Sequence, residues 1–488
     1  AGRSQALLGS IISKASEMRL PTDVMELEDE LMSIRESLIP RGLHTIGKAF
    51  GMEDAERYAI QAMEFPHEGV VPLERLIDPE RHDINEICSR YISERHVPDH
   101  LKDDADAIRA LEHMHDLAVR SSRTEELDGL RRALEGRFID VRPGGDVMKD
   151  PEVLPTGYNI VQFNPDRVPT LAAFERGKQA AEDTIMRYKE ATGAYPCGAA
   201  LILWGLETSR TRGLTIGQIC SYLGLRMVRN SGDFVSRFEV IPLSELGRPR
   251  IDVTVSMCGF FRDMFPNLVA GLSELFSLII SLDESEDDNH CKGAARRNRE
   301  FLEQMGCASD ELDELSKCRL FGPARGEYGT SMTGIVNSSS WNDEAELGNT
   351  FTDSLRYAYT RSLQGHDAQG LLRFNHRNVQ VISQVRDSND RELIDLDHYY
   401  EFLGGLSKSV EMAQGGKRSP VFVIDASRAK VRTQDVKRSI EHGIRTRLLN
   451  PKWIDGLLEV RYCGAQQINE RFENVLGLAS TLGEVESG

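Results

Sequence analysis

The chain has 488 residues, which is too long for one hydrophobic core and suggests about three domains at roughly 150 residues each. It contains 59 Lys and Arg residues and 77 Asp and Glu residues. The resulting formal net charge of −18 argues against nucleic acid or an anionic membrane as a partner. Since no run of about 18 apolar residues and no cleavable leader is evident, we expect a cytoplasmic protein without a membrane span.

The first 140 residues predict a helical region. One apolar stripe with steps of three and four residues comprises Val24, Leu27, Leu31, Ile34 and Leu38. This spacing places the five side chains on one face of a helix. Similar stripes recur over 84–92, 108–117 and 127–134. We therefore expect a helical bundle or cap over residues 1–140.

Histidines are frequent in this region and raise the question of a metal site. They include His82, His96, His100, His113 and His115. His113 and His115 are two residues apart, so on a helix they point in different directions and cannot share one ion. The favoured interpretation is that these histidines lie on solvated helix faces. The eight cysteines form no CxxC pair, which indicates neither a zinc knuckle nor a disulfide framework.

From Arg142 the sequence becomes rich in Pro and Gly, and then strand and helix patterns alternate. Thr170 can cap a helix that reaches about residue 192. Apolar strands are predicted over 199–203, 251–256, 379–385 and 421–424, and helices over 215–223, 263–280 and 433–449. Alternating elements of this kind predict a mostly parallel sheet. We expect Rossmann-like α/β domains over 141–290 and 291–488.

The segment WGLETSRTRG, residues 204–213, is predicted to be a polar turn between the strand 199–203 and the helix that follows. Such a turn is the usual place of a ligand in an α/β fold. The sequence contains no GxxxxGK[ST] motif and no GxGxxG after this strand, which argues against an unrelated nucleotide-binding enzyme. If ATP is used, a partner must hydrolyse it.

Eight segments in the same order resemble a known family. They are PGGDVMKDPEVLPTGYN, FNPDRVPT, ILWGLETSRTRGLTIGQICSYLGLR, ELGRPRIDVTVSMCGFFRDMFPNL, RLFGPARGEYGT, SSSWNDEAELG, LIDLDHYYEFLGG and RTRLLNPKWIDG. Together they resemble the C-terminal portion of the large subunit of ATP-dependent tetrapyrrole chelatases. That family includes the CobN-type cobaltochelatase subunit and the H subunit of magnesium chelatase.

The resemblance implies insertion of Co²⁺ or Mg²⁺ into a tetrapyrrole, with ATP hydrolysed by AAA+ partner subunits that act with an adaptor subunit. The implied substrate is hydrogenobyrinic acid a,c-diamide or a related corrinoid for cobalt, and protoporphyrin IX for magnesium. The segments FGPARGEYGT and YYEFLGG look more like CobN, so cobalt is favoured. A tetrapyrrole-binding or assembly protein without catalytic activity is the alternative from another class.

The segment Asp395, Leu396, Asp397, His398 offers two carboxylates and an imidazole for this chemistry. In an extended chain Asp395 and Asp397 face the same side, and their like charges would raise one pKa and prepare it to accept a pyrrole proton. We therefore assign catalysis to Asp395, Asp397 and His398, with Asp397 and His398 as metal ligands. An acidic turn that caps the next helix is the alternative.

Arginines and aromatic residues near the first turn could hold the macrocycle. Guanidinium groups bind rim carboxylates in bidentate pairs, and aromatic rings offer apolar surface. We assign substrate binding to Trp204, Glu207, Arg210, Arg212, Arg262 and Asp263, with Phe260 and Phe261 as further apolar surface. The open alternative is that Arg262 and Asp263 form a structural ion pair and that the aromatic residues belong to the core.

Overall fold

The computed structural model describes residues 44–483 except 66, 68, 79–80, 149–150, 162–163, 229–236, 389–390 and 429. The helix predicted over 24–38 lies outside the described residues.

Three helices of the helical region, with the short helix Leu73–Leu76 between the first two, pack around their own core. Met52–Ala62, Ile84–Glu94 and Ala105–Ser121 bury Tyr58, Cys88 and Leu111 among other side chains. The latter two helices begin where Asp83 and Asp104 accept backbone N–H groups of the first turn, as N-cap residues do. The predicted helices over 84–92 and 108–117 are confirmed. The helix Glu126–Leu134 also forms, but its leucines face outward.

The strands described by the structure, in chain order, are β1 Arg142–Pro143, β2 Asn159–Val161, β3 Gly198–Leu203, β4 Leu225–Val228, β5 Arg237–Val240, β6 Asp252–Met257, β7 Leu320–Gly322, β8 Tyr357–Tyr359, β9 Gln364–Asp367, β10 Val381–Arg386, β11 Val421–Asp425 and β12 Arg432–Asp435. The α-helices after β2 are Leu171–Thr192, Gly205–Thr211, Leu214–Leu223, Leu243–Leu246, Gly259–Met264, Pro266–Ile280, His290–Gln304, Ser309–Lys317, Met332–Ser338, Glu344–Leu355, Gln369–His376, Gly405–Ala413, Val436–Thr446, Pro451–Glu459 and Tyr462–Leu482.

One eight-stranded sheet organises the rest of the chain, in the order β12-β11-β10-β3-β6-β7-β8-β9. The five strands from β11 to β7 are parallel, and the strands at both edges are antiparallel. This confirms the predicted mostly parallel sheet. The two strands of this sheet that precede residue 290, β3 and β6, lie side by side between β10 and β7, which both follow it. The two predicted α/β segments therefore share one sheet and one hydrophobic core.

The helices Leu171–Thr192 and Leu214–Leu223 pack closely against each other beside this sheet. A Cβ at Gly177 would lie 2.2 Å from the carbonyl oxygen of Leu214, and one at Gly217 would lie 2.7 Å from Phe174 Cα. Gln218 then donates to Ser383 of β10 at 3.1 Å. The close helix pair thus holds the segment that follows β3 against the neighbouring strand β10.

Several predicted elements differ in the structure. The segment 204–213 contains the helix Gly205–Thr211 instead of a polar turn. The single helix predicted over 263–280 is two helices, because Pro266 has no N–H and disfavours helical geometry at Phe265. The strands β4 and β5 pair with each other outside the main sheet. The helix predicted over 433–449 begins only at Val436, after β12.

Candidate functional site

The carboxyl ends of β3 and β10 form a topological switch point. From β3 the chain continues to β6 on one side, whereas β10 and β11 lie on the other side. In open parallel sheets, ligands bind in the crevice outside the carboxyl ends of the strands at such a point. Trp204 follows β3, and Asp387 follows β10. Trp204 and Asp387 therefore lie where a fold of this kind binds its ligand.

The indole of Trp204 stacks on the imidazole of His398 at this crevice. Their ring centroids are 3.7 Å apart and their planes differ by 23°. Burial, with smaller effects of Arg210 and Arg391, lowers the pKa of His398 to about 3. The imidazole is therefore neutral at physiological pH, which is the form that binds metal ions. Its Nε2 atom is buried and makes no hydrogen bond within the described part of the chain.

Arg210 connects the helix after β3 with the end of β10. Its Nη1 atom lies 3.2 Å from Oδ2 of the buried Asp387, and its guanidinium carbon lies 5.8 Å from the centroid of the Trp204 ring. The side chain of Arg210 remains partly exposed. A guanidinium group has five N–H donors, so one side can hold Asp387 while the other is offered to a ligand carboxylate.

Glu207 lies beneath this surface, with 2% of the residue exposed. Its carboxyl oxygens accept hydrogen bonds from Thr211 at 2.9 Å, Thr215 at 3.1 Å and Thr208 at 3.4 Å. Burial, and then the charge of Asp387, raise the pKa of Glu207 to about 8. The structure thus places Glu207 in the interior, where we expect no direct contact with substrate.

Arg212 ends the helix Gly205–Thr211 in a left-handed conformation with φ of 60°. Its Nη2 atom donates to the carbonyl oxygen of Gly144 at 3.3 Å, and its own carbonyl accepts the N–H of Thr170 at 3.1 Å. These contacts connect the segment after β3 with the loop that begins at Arg142. Arg212 therefore helps to hold the loop that begins at Arg142.

Arg262 and Asp263 form the structural ion pair that was the open alternative. The Nε atom of Arg262 lies 2.7 Å from Asp263 Oδ1, and these hydrogen bonds lower the pKa of Asp263. Arg262 also donates to the carbonyl oxygens of Pro323 at 3.1 Å and Ala324 at 2.7 Å. Its guanidinium group is thus largely occupied in holding the loop after β7.

Asp395 and Asp397 do not lie in an extended chain as expected, because Asp395 ends a 3₁₀ turn and Asp397 lies in a separate turn. Leu393–Asp395 forms a 3₁₀ turn, in which Asp395 accepts the N–H of Glu392 at 2.8 Å. Asp395 is also paired with Arg447 at 3.2 Å and Arg471 at 3.0 Å. Asp397, by contrast, is exposed. Two guanidinium groups occupy Asp395, and we therefore assign it no proton transfer.

Glu401 is a buried carboxyl group near the site that sequence reasoning missed. It accepts the backbone N–H of Thr330 at 2.5 Å and its hydroxyl at 3.1 Å, and its own N–H donates to the carbonyl of Asp397 at 2.9 Å. Burial is the main cause that raises its pKa. Glu401 lies in the π-helix Tyr399–Gly404, an uncommon element that is frequent at functional sites. In the sequence, the run YYEFLGG resembles the chelatase family but contains no pattern that indicates a buried carboxyl group.

An exposed apolar surface lies at the ends of β3, β6 and β7. Leu206 is 38% exposed, Phe260 37% and Tyr328 56%. A Cβ at Gly205 would meet the ring of Phe260 at 2.4 Å, and Gly259 donates its N–H to the carbonyl of Tyr328 at 2.8 Å. These segments are therefore neighbours. Phe261, in contrast, is fully buried and belongs to the core.

Metal-ligating side chains are not gathered into a complete site in the described part of the chain. Within residues 44–483, apart from the gaps, no group of three or more His, Cys, Asp or Glu residues could hold a metal ion. His113 is not simply solvated, because its Nε2 atom lies 2.8 Å from Nδ1 of His67. No helix among the described residues is long and apolar enough to cross a membrane.

Comparisons with known proteins identify the class to which this fold and site belong. A family model described as CobN/Magnesium Chelatase matches residues 5–488. The chain therefore belongs to the CobN/magnesium chelatase family, as the sequence segments predicted.

Individual relatives agree with this assignment. The chain is 33% identical over 397 residues to the aerobic cobaltochelatase subunit CobN of a Sinorhizobium species. The matched residues make up 80% of this chain and 30% of that protein. It is 34% identical over 361 residues to the magnesium-chelatase H subunit of Rhodobacter capsulatus, covering 74% of this chain and 30% of that protein. The structure is similar to the catalytic subunit of cobaltochelatase from Mycobacterium tuberculosis, with a TM-score of 0.72 and 26% identity over 96% of this chain and 42% of that chain.

Proposed function

We propose that this chain is the tetrapyrrole-binding part of a chelatase large subunit that inserts Co²⁺ into a corrinoid precursor such as hydrogenobyrinic acid a,c-diamide. AAA+ partner subunits and an adaptor subunit would supply the energy of ATP hydrolysis. One observation carries the proposal: an exposed apolar surface at the carboxyl ends of β3, β6 and β7 adjoins the switch point that holds the neutral imidazole of His398. This arrangement suits a flat macrocycle and a metal ion.

The apolar surface would take one face of the macrocycle. Aromatic rings and leucine bury the large apolar area of a tetrapyrrole, and each aromatic contact contributes beyond the area it buries. Arg210, which is held by Asp387 on one side, would bind a carboxylate on the macrocycle rim. The bound ring would then lie across the ends of β3 and β6.

Insertion of a divalent ion requires a base for two pyrrole protons. Glu401 is suited to this step because its raised pKa makes it a stronger proton acceptor than an ordinary carboxylate. Asp397 is exposed and lies one helical turn before Glu401. We assign the transfer of the substrate metal to Asp397 and His398. Glu401 would accept the two pyrrole protons one after the other and release the first to solvent before it takes the second.

The imidazole of His398 favours cobalt over magnesium. Co²⁺ accepts mixed nitrogen and oxygen ligands, whereas Mg²⁺ strongly prefers oxygen and keeps its water. An H-type subunit that acts on protoporphyrin IX is the second candidate, which the identity to the Rhodobacter protein supports. A binding protein without catalytic activity is the third candidate, and the incomplete set of metal ligands among the described residues favours it.

Titration of the chain with hydrogenobyrinic acid a,c-diamide and with protoporphyrin IX, followed by absorption, tests the proposal. We expect a spectral shift on binding, and we expect Phe260→Ala to weaken affinity by about tenfold through lost aromatic contact. Leu134→Ala is the matched control, because Leu134 is 80% exposed but lies on the helix Glu126–Leu134. No spectral change with either ligand would refute the function. Insertion of Co²⁺ or Mg²⁺ with added AAA+ subunits and ATP separates the three candidates.

A further inference from the structure

The proposed function leaves the buried carboxyl group of Glu207 without a role. Thr211 Oγ1 accepts the backbone N–H groups of Leu214 at 3.1 Å and Gly213 at 3.3 Å. Its single hydroxyl proton is therefore directed to Glu207, at 2.9 Å. Thr215 donates to the other carboxyl oxygen at 3.1 Å. Within the described residues Glu207 takes part in no ion pair, and the hydrogen bonds to this buried acid come from threonine hydroxyl groups.

The charge on Glu207 affects the group that we expect to bind the macrocycle rim. Asp387 is the neighbouring charge that acts on Glu207, and Asp387 is itself paired with Arg210 at 3.2 Å. While Glu207 is protonated, the partly exposed guanidinium group of Arg210 attracts an anion. Ionisation of Glu207 adds a negative charge beneath this pair, which repels an anionic ligand.

Few other titratable groups face Glu207. Its own short helix contributes Arg210, and the end of β10 contributes Asp387. Arg210 and Arg391 also act on the neutral imidazole of His398. The titratable groups of the helix Leu214–Leu223 are Cys220 and Tyr222, and burial raises the pKa of both. The packed helix Gly259–Met264 carries only Arg262 and Asp263, which pair with each other.

We propose that Glu207 is a positioning residue that couples one proton to the binding of anionic macrocycles. Its carboxyl group keeps the proton when Arg210 binds a rim carboxylate, and release of that proton to solvent weakens the binding. This inference rests on the proposed function. It explains why an acid at this position is enclosed by hydroxyl groups that can serve either protonation state, instead of being paired with a cation.

The dependence of affinity on pH tests the coupling. Protoporphyrin IX carries two propionates, which are ionised throughout pH 7–9 because alkyl carboxyl groups titrate near pH 4. Its dimethyl ester carries none and is the matched ligand. We expect the affinity of the protein for protoporphyrin IX to fall on the order of fivefold from pH 7 to pH 9, the scale of a weak coupling between sites. The affinity for the ester should stay constant.

Variants separate Glu207 from other acids. Glu207→Gln should abolish the pH dependence and keep the affinity at its pH 7 value. Thr215→Val keeps the carboxyl group but removes a donor to its ionised form, so it should move the midpoint of the transition to higher pH. Glu314→Gln is the control. Glu314 also accepts hydrogen bonds from hydroxyl groups, those of Thr360 and Ser362, but it is distant in sequence from this site. It should retain the wild-type profile.

Each contrary result has a distinct meaning. Binding of both porphyrins with a wild-type pH profile in Glu207→Gln would overturn the inference and leave the proposed function standing. An equal loss of affinity for the ester would do the same, because no rim carboxylate is then involved. Failure of the wild-type chain to bind any tetrapyrrole at either pH would overturn the proposed function, and this inference with it.

Discussion

Three buried carboxyl groups near the switch point differ in what surrounds them. Glu207 accepts hydrogen bonds from threonine hydroxyl groups, Asp395 is paired with two arginines, and Glu401 accepts a backbone N–H and a hydroxyl. Desolvation disfavours the charged form, whereas cations and donors favour it. Burial prevails at Glu207 and Glu401, whose pKa values are raised. A carboxyl group is thus more readily protonated at Glu207 and Glu401, whereas at Asp395 it is an ion-pair partner.

Replacing Glu207 by Gln should reduce the dependence of stability on pH. The pKa of Glu207 in the folded chain, about 8, exceeds its ordinary value of 4.5, so the folded state holds the proton more tightly. Its contribution to stability is complete below pH 4.5 and is lost as the pH rises through 8. Relative to Glu207→Gln, the wild type should lose up to about 1.4 kcal/mol of unfolding free energy per pH unit in this window.

Urea unfolding of both proteins at several values from pH 5 to pH 8 measures this difference. Other titrating groups contribute equally to the two chains and cancel in the comparison. Parallel stability curves for wild type and Glu207→Gln would mean that the carboxyl group is already ionised at low pH.

At the scale of elements, the loop after β7 depends on Arg262. The guanidinium group of Arg262 donates to the carbonyl oxygens of Pro323, Ala324 and Glu327, while Glu401 holds Thr330 from the other end. The residues between these attachments, 325–328, are exposed. Two buried charged groups therefore fix the backbone of a loop whose tip is open to solvent.

Arg262→Ala should make this loop open more readily. Loss of the guanidinium group removes its hydrogen bonds to Pro323, Ala324 and Glu327, and a hydrogen bond from a charged donor contributes about 1.5–3 kcal/mol. Trypsin should then cleave after Arg325 at least about tenfold faster, because proteolysis follows the population of locally opened states. Arg296→Ala is the control, since Arg296 pairs with Glu286 and Glu300 on an exposed helix face. Equal cleavage rates in the two variants would contradict the role of Arg262.

The elements that could be predicted from the sequence are those with strong local patterns. β3, β6 and β10 are six-residue strands that are buried along their whole length, so their apolar runs were visible. β7, β8 and β9 have three or four residues and include Gly and polar side chains, which carry no such pattern.

In the candidate site, too, features that depend on neighbouring residues in the sequence could be predicted, and contacts between distant residues could not. Trp204, Arg210 and His398 could be selected because they follow predicted strands or lie in resembling segments. The ion pairs of Asp395 could not be predicted, since Arg447 and Arg471 are 52 and 76 residues away along the chain. Glu401 was missed for the same reason, because its partner Thr330 is 71 residues away.

At the scale of the whole molecule, β3 makes the sheet a single unit. It pairs with β10 on one side and with β6 on the other, so the segments 141–290 and 291–483 each supply one of its neighbours. The helical region keeps a separate core around Leu111 and Met114. The domain boundary predicted at residue 290 is a hypothesis that fragments of the chain can test.

A fragment of residues 141–290 should lack a cooperative unfolding transition. It would expose the edge of β3 that β10 covers and the edge of β6 that β7 covers, with their buried apolar side chains. Adding the fragment 291–488 should restore helical and strand signal in circular dichroism and a single thermal transition. A cooperative transition of the first fragment alone would instead support an independent domain at 141–290.

Because Trp204 stacks on His398, tryptophan fluorescence can report on the site. The chain has three tryptophans, and Trp204 alone lies at the switch point, whereas Trp453 belongs to the helix Pro451–Glu459 and Trp341 precedes the helix Glu344–Leu355. With Trp341 and Trp453 replaced by Phe, the remaining tryptophan fluorescence comes from an indole in contact with an imidazole. A chromophore seated beside it would quench that emission by energy transfer, and the efficiency would report the distance between the indole and the bound ring.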